Sequence, residues 1–273
     1  WKQETIQSIG SEEAFRQEFD CEFIETGDSF IDEEYYAKLE SLIVEPEHVF
    51  DDGAYKVWEE PDVDCIYTIG VDVAEGVNKN YSVIQVFDIS DLAEIKQVAE
   101  YASNTINPFE FTSKVHEICH HWGAPPILIE RNNCGAQVVD LLYQTYRYPN
   151  IVSYSPRTGK QKFDRLGVYA HTNTKYKGVI NMRYWVHELK CISFRSEQLV
   201  QELRNFQRKP NGTWSAKPGY EDDRVMAMIW ALMILDNTLV QRYYDVVETD
   251  DNGKPKNIIL SEFVHQNFKS FLN

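Results

Sequence analysis

CIYTIGVDVA, residues 65–74, is an apolar run rich in β-branched side chains, with Asp72 near its end. Such a run predicts a buried strand. A turn rich in Gly and Asn leads into YSVIQVFDIS (81–90), and IKQVAEYAS (95–103) follows after another short connection. Both are expected to be strands. Three successive strands with short connections predict an antiparallel meander.

Helices and strands alternate after the meander. A helix is predicted at about 108–122, with a Pro near its first turn and a Gly after its end. PPILIE (125–130) predicts a short buried strand, residues 136–146 a helix and IVSYS (151–155) another strand. The order β-β-β-α-β-α-β predicts an α/β fold in which a mixed sheet, a meander plus parallel strands, is flanked by helices.

Two further helices are predicted before the meander, and a loop, helices, an edge strand and a hairpin after it. The hairpin is indicated by an Asn-Gly pair between two short runs. In chain order these elements are helices at 11–23 and 32–42, a basic loop at 156–165, a helix at 175–190, an edge strand at 191–195, a helix at 196–206, the hairpin at 205–216, a helix at 222–235 and a loop at 245–256.

The composition is that of a folded globule. The chain has 273 residues, of which 43% are hydrophobic, enough for a sizeable core. It contains neither an apolar run of the roughly 20 residues that span a bilayer nor a recognisable signal peptide. Its five cysteines form no CxxC pair, so a reducing compartment is expected rather than a disulfide framework or a cysteine zinc site.

Charge is distributed unevenly along the chain. The formal net charge is −16, and residues 1–64 alone hold 20 acidic against 4 basic side chains. Residues 147–217 hold 14 Lys and Arg against 4 Asp and Glu. A basic stretch of this size can bind phosphates even in an acidic protein, although it would equally suit a solvated lysine-rich surface.

Acidic side chains follow predicted strands and open a predicted helix. Asp72 ends the first strand, Glu130 ends the strand ILIE, and Asp222 and Asp223 begin the apolar helix. Each alone could be a turn residue, a strand end or a helix cap. Together they form a set of buried carboxylates that would be costly without a counter-charge, and oxygen ligands are what Mg²⁺ prefers. The sequence therefore predicts a metal site.

Four motifs in order resemble the nuclease domain of tailed-phage terminase large subunits, the DNA-packaging motors. They are IGVDVAEG (69–76), YSVIQVFD (81–88), ILIERNNCG (127–135) and GYEDDRVMAMIWAL (219–232). EAFRQEFDCEF (13–23) resembles the segment that these proteins have just before the nuclease. The resemblance implies an RNase H-like fold and metal-dependent cleavage of double-stranded DNA during viral genome packaging.

The resemblance also implies roles for individual residues. Asp72 would bind both of two Mg²⁺ or Mn²⁺ ions, Glu130 would be the second ligand, and Asp223 rather than Asp222 the third. Asp222 and Glu75 are weaker candidates for metal ligands. Many relatives have Asp where this chain has Asn80, which leaves open whether a full two-metal site forms.

The expected domain organisation follows from the same resemblance. Residues 1–64 would be an acidic N-terminal segment of the nuclease portion, residues 65–240 the RNase H-like nuclease domain and residues 241–273 a C-terminal tail. Because the sequence has no GxxxxGK[ST] loop, an ATPase motor is expected upstream in the full-length chain. The family implies portal and small terminase subunit as partners, no membrane, and the cytoplasm of the infected host.

DNA contacts are expected from the basic loop and the hairpin. Phosphate contacts fix position without reading sequence, so cleavage would be largely independent of sequence. The candidate residues are Arg157, Lys160, Lys162, Arg165, Arg208 and Lys209.

Three alternatives remain open at this point. HEICH (116–120) matches the HExxH motif of zinc proteases, but the extended motif would need a histidine where Pro126 stands. An RNase H-like ATPase would share the fold, but the second phosphate loop with Asp-x-Gly is not found. A DNA-gripping or docking module with an inactive site would also fit, and Asn80 favours it.

Overall fold

The structure, a computed structural model, describes residues 29–74, 80–154 and 166–236. Within them, the main sheet has seven strands and a two-stranded hairpin stands apart. The strands are β1 (His48–Phe50), β2 (Tyr55–Val57), β3 (Tyr67–Asp72), β4 (Ser82–Asp88), β5 (Ile95–Ser103), β6 (Ile127–Ile129) and β7 (Ile192–Ser193), with β8 (Phe206–Arg208) and β9 (Trp214–Ala216) in the hairpin. The α-helices are α1 (Glu33–Glu40), α2 (Pro108–His121), α3 (Gly135–Gln144), α4 (Thr172–Arg183), α5 (Glu197–Asn205) and α6 (Asp223–Met233).

The sheet is mixed, as predicted. Its order is β1-β2-β5-β4-β3-β6, and β7 pairs in parallel with the beginning of β5. Strands β3, β4 and β5 form the predicted antiparallel meander, whereas β6 runs parallel to β3. Strand β3 therefore lies between an antiparallel and a parallel neighbour, which places Asp72 beside the carboxyl end of β6.

Most predicted elements that lie within the described residues are confirmed within one to three residues, and two differ. Residues 151–154 form only isolated bridges, Ile127 with Ile151 and Ser153 with Gly167, instead of a strand. The helix expected at 175–190 begins at Thr172 and ends as a π-helical turn from Tyr184 to Glu188. The predicted helix at 11–23, the basic loop at 156–165 and the loop at 245–256 lie outside the described residues.

Strands β1 and β2 were not expected from the sequence. Each has three residues, and a tight turn in which Asp51, Asp52 and Gly53 have positive φ joins them. Strands this short carry no readable alternation of apolar and polar residues. They extend the sheet beyond β5, at the edge away from Asp72.

Two apolar cores lie on opposite faces of the sheet. On one face, α2 and α3 contribute Phe111, Val115 and Val138 against Ile69 and Val71 of β3. On the other face, the apolar side chains of α4, α5 and α6 pack together with residues of β4, β5 and β6. The protein is a three-layer α/β/α arrangement. Among the described residues, every helix is too short or too polar to cross a lipid bilayer.

Helix α6 packs directly on β3 because residue 70 is a glycine. A Cβ atom at Gly70 would lie 1.9 Å from the carbonyl oxygen of Ala227 and 2.4 Å from the amide nitrogen of Ala231. These are backbone atoms, which cannot move aside as a flexible side chain can. The missing side chain lets the helix that begins at Asp223 lie against the strand that ends at Asp72.

We expect Gly70→Ala to lower the free energy of unfolding by about 3 kcal/mol or more, because overpacking that forces a helix off a strand is costly. Denaturant unfolding would measure it. Thr68→Val is the matched control on the same strand, since it keeps the volume and removes a buried hydroxyl without a hydrogen-bond partner in the described part of the chain. A Gly70→Ala variant as stable as Thr68→Val would show that α6 is not held by this contact.

Candidate metal centre

Asp72 is the last residue of the central strand β3. Its backbone pairs with Val83 of β4, and the amide of Val73 donates a hydrogen bond of 3.1 Å to its Oδ1 atom. The side chain retains some exposure but is surrounded by protein, with Glu130 and Asp223 as its negative neighbours. The end of β3 thus places a carboxylate at the point where β6 also ends.

Glu130 follows β6 directly and its backbone is held from three sides. Its amide donates to the carbonyl of Val71 at 2.9 Å, and it forms a bridge with Val168. Helix α3 begins so close that a Cβ atom at Gly135 would lie 1.9 Å from the carbonyl oxygen of Glu130. The loop after β6 can turn into α3 here only because residue 135 has no side chain.

Asp223 is the first residue of α6, and its side chain is buried. The amide of Tyr81 donates a hydrogen bond of 2.7 Å to its Oδ2 atom, so the turn before β4 orients this carboxylate. The neighbouring Asp222 takes the N-cap position without a side-chain cap bond, and its Oδ2 accepts from the amide of Ala216 at 3.1 Å. The two adjacent acids are therefore turned towards different partners.

Burial is the main reason why the pKa values of these carboxyl groups are raised. Burial raises the pKa of Asp72 well above its ordinary value, and the charges of Glu130 and Asp223 raise it further. Burial also raises the pKa of Glu130, which Lys175, Asp72 and the indole of Trp230 oppose. In the metal-free protein, burial therefore keeps the pKa values of both carboxyl groups of the Asp72–Glu130 pair above their ordinary values.

The pKa of Asp223 is also raised by burial. Burial raises its pKa to about 6, and the charge of Asp222 adds to the shift, while the hydrogen bond from Tyr81 opposes it. A divalent cation would replace the protons of these three groups and remove their repulsion.

Lys175 is a site residue that the sequence analysis did not single out. It lies on α4, and its positive charge lowers the pKa of both Asp72 and Glu130. It is one of 14 basic residues in the 147–217 stretch, and nothing in its neighbours distinguishes it. Only the packing of α4 on α6 brings it to the acids.

The donor set fits a hard divalent cation, since it consists of desolvated carboxylate oxygens. As the side chains stand, no group of three or more His, Cys, Asp or Glu among the described residues is placed to hold one ion. Asp72 and Glu130 are hydrogen-bonded neighbours, and Asp223 acts on Asp72 through its charge. An ion would therefore be bound by these acids in pairs, or after a change of side-chain rotamer.

The remaining predicted residues are only partly described. Arg208 ends β8, and Lys209 follows it on the hairpin as an exposed side chain. Asn80 is exposed and immediately precedes Tyr81. The others lie outside the described residues: Glu75, Arg157, Lys160, Lys162 and Arg165.

The HExxH match on α2 has ordinary structural partners. The ring of His116 stacks on Tyr146 with 4.4 Å between centroids, and Glu117 forms an ion pair of 2.7 Å with Lys114. Without a histidine at 126, a zinc site would need a downstream carboxylate such as Glu130, and Glu130 belongs to the acidic cluster instead. The described part of α2 and its surroundings gives a zinc-protease site no support.

Replacing Asp223 by Asn should stabilise the metal-free protein at pH 8. A folded-state pKa of about 6 against an ordinary 3.8 means that Asp223 costs stability once pH rises above about 4, and fully above about 6. We expect a gain of about 1–3 kcal/mol at pH 8 in EDTA, at about 1.4 kcal/mol per pKa unit, and almost none near pH 4. Denaturant unfolding at both pH values measures it, with Asp222→Asn as control. A loss of stability at pH 8 would contradict the electrostatic account.

Comparison with known proteins agrees with the fold. The terminase RNase H-like domain family matches residues 69–235. The large terminase nuclease of the thermophilic phage G20c with bound magnesium is 20% identical, with a TM-score of 0.55 over 72% of this chain and 95% of that one. The form of that nuclease with bound cobalt is 21% identical, with a TM-score of 0.54 over 72% and 95%. The nuclease domain of the large terminase of Thermus phage P74-26 is also 21% identical, with a TM-score of 0.53 over 75% and 94%. At these identities the structures show a shared fold, and the family match extends over more than half of the chain: the protein belongs to the terminase RNase H-like domain family.

Proposed function

We propose that this protein is a metal-dependent endonuclease that cleaves double-stranded DNA during phage genome packaging. The observation that supports this most directly is the meeting of Asp72, Glu130 and Asp223. They come from three separate elements, burial raises the pKa of each, and the charges of Glu130 and Asp223 add to the shift of Asp72. Carboxyl groups with strongly raised pKa values cluster at functional sites.

Two Mg²⁺ or Mn²⁺ ions are the cofactors we propose. Asp72 would contact both, sharing one with Glu130 and the other with Asp223, the two acids whose charges act on it. Two ions supply an activated water and stabilise the leaving oxygen of a phosphodiester. The magnesium-bound and cobalt-bound forms of the G20c nuclease support a divalent cation at this fold. Glu75 and Asp222 remain secondary candidates for ligands.

The protein's own groups hold the acids and the substrate. The amide of Tyr81 and the indole of Trp230 lower the pKa of Asp223 and Glu130, respectively, and so favour the ionised forms that ligate metals. Lys175 is the cation next to Asp72 and Glu130, and we propose that it also attracts the phosphate that is to be cut. It adds to the proposed DNA contacts of Arg157, Lys160, Lys162, Arg165, Arg208 and Lys209.

Phosphate contacts of this kind imply cleavage with little sequence preference. In the full-length protein we propose an upstream ATPase motor that moves the DNA, with portal and small terminase subunit as partners in the host cytoplasm. Residues 1–64, 65–240 and 241–273 remain our proposed division of the chain. The family match favours a nuclease over an RNase H-like ATPase.

Purified protein should nick or cut plasmid DNA in the presence of Mg²⁺ or Mn²⁺. This cleavage should stop when EDTA is added. Alanine at Asp72, Glu130 or Asp223 should reduce the cleavage rate at least 100-fold, because each removes a ligand that no neighbour replaces. Gel analysis of supercoiled plasmid measures the rate.

Two alanine variants serve as matched controls. Glu221→Ala removes an exposed acid two residues before Asp223, and Glu117→Ala removes the acid of the HExxH match; both should cut within a few-fold of wild type. Cleavage that survives all three site variants would refute the nuclease assignment. Normal DNA binding with no cleavage by wild type under any divalent cation would favour a docking module.

Charge reversal at Lys160 and Lys162 should weaken DNA binding at least tenfold and uniformly across sequences. Each lost phosphate contact should also reduce the salt dependence of binding, by about one in the slope of log K against log salt. Fluorescence anisotropy in Ca²⁺ measures both quantities, and Lys38→Glu on α1 is the control. Unchanged affinity would place the DNA path elsewhere.

A further inference from the structure

A buried cluster of charges lies behind Asp223. The guanidinium of Arg224 donates from Nε to Glu100 at 3.1 Å and from Nη1 to Glu202 at 2.8 Å. The side chains of Arg224, Glu100 and Glu202 are 11%, 2% and 9% exposed. The proposed chemistry gives this cluster no role, although Arg224 follows a proposed metal ligand in the chain.

Glu202 holds the beginning of α6. Its Oε2 atom accepts hydrogen bonds from the amides of Arg224 at 2.8 Å and Val225 at 3.2 Å. These are first-turn amides that the helix itself cannot satisfy, and Asp222 in the N-cap position does not satisfy them. A carboxylate from α5 thus caps the helix whose first residue is Asp223.

Arg224 also touches the group that orients the Asp223 side chain. Its guanidinium lies over the ring of Tyr81, 4.9 Å from the centroid. The amide of Tyr81 is the donor to Asp223 Oδ2. One side chain therefore contacts both supports of Asp223, the cap of its helix and the turn that donates to its carboxylate.

Glu100 ties the cluster to the centre of the sheet. Its Oε2 atom accepts from Gln85 of β4 at 2.8 Å, and Gln85 in turn accepts from Gln97 of β5 at 2.9 Å. The side-chain oxygen of Gln97 accepts from the amides of Arg195 and Ser196, where α5 begins. The unbroken chain of hydrogen bonds connects two central strands, α5 and the beginning of α6.

Stability alone is a poor explanation for this cluster. Burial raises the pKa of Glu202 to about 7 although Arg224 is its partner, so the desolvation of the carboxylate is large. Buried ion pairs are often no more stable than apolar residues of the same volume, and they persist best where they fix a geometry. Here the fixed geometry is the start of α6.

We infer that Arg224, held by Glu202 and Glu100, is a positioning residue that sets Asp223 for divalent cation binding. The inference rests on the proposed function, because it assumes that Asp223 ligates a metal. Arg224 acts through Glu202 and Tyr81 and does not itself touch metal or DNA.

The test is Mn²⁺ binding to the full chain, measured by calorimetric titration. Arg224→Met should weaken the site that Asp223→Ala also weakens, at least tenfold, and the double variant should lose no more than Asp223→Ala alone. Arg224→Lys keeps one contact and should restore part of the affinity. Arg204→Met is the matched control. Arg204 lies on α5, and its replacement breaks an exposed ion pair of 2.8 Å with Glu33 of α1.

Arg224→Met leaves two buried carboxylates without their cation, which destabilises the fold. A second variant therefore separates loss of folding from loss of metal binding. Arg224→Met with Glu202→Leu and Glu100→Gln removes both buried negative charges, and its folding is checked by circular dichroism and denaturant unfolding. In a folded variant, Mn²⁺ affinity within threefold of wild type would overturn the inference. Wild-type protein without Asp223-dependent Mn²⁺ binding would overturn the proposed metal site and this inference with it, which separates the two failures.

Discussion

The contact between α6 and β3 at Gly70 is the constraint on which the rest of the site depends. Asp72 lies two residues after Gly70 on the strand, and Asp223 lies four residues before Ala227, the helix residue that Gly70 meets. The backbone separation of these two acids is therefore determined by direct contact of a strand and a helix. Glu130 joins them because β6 pairs in parallel with β3 and ends at the same edge.

Two further glycines allow similarly close packing of helices around this contact. Gly135 allows α3 to begin against Glu130, and Gly178 allows α4 to approach Ile229 of α6. The approach of α4 brings Lys175 to the acids. Small residues at helix contacts leave little freedom for the elements to shift. In such a framework the site adjusts through rotation of side chains rather than through movement of helices.

Local pattern was sufficient to predict the elements that bear the acids. The β-branched run before Asp72, the short strand ILIE and the apolar helix after Asp223 are each strong signals within one segment. Their order indicated a mixed sheet, and the structure brings the three acids together. Asp222 and Asp223 are adjacent, so spacing could not distinguish them, and the preference for Asp223 came from the resemblance.

Lys175 and the Arg224 cluster depend on contacts between α4, α5, α6 and the sheet, which no local pattern encodes. Strands β1 and β2 were missed because three residues carry no readable alternation, and β2 joins the sheet only through the distant β5.

The position of Trp230 has an optical consequence. Its indole is fully buried on α6, and its N–H acts on the carboxylate of Glu130. That N–H has no hydrogen bond of good geometry among the described residues. Indole emission responds to nearby charge. The protein thus contains an indole beside its acidic cluster, and we expect its emission to change when the cluster loses its protons or binds a cation.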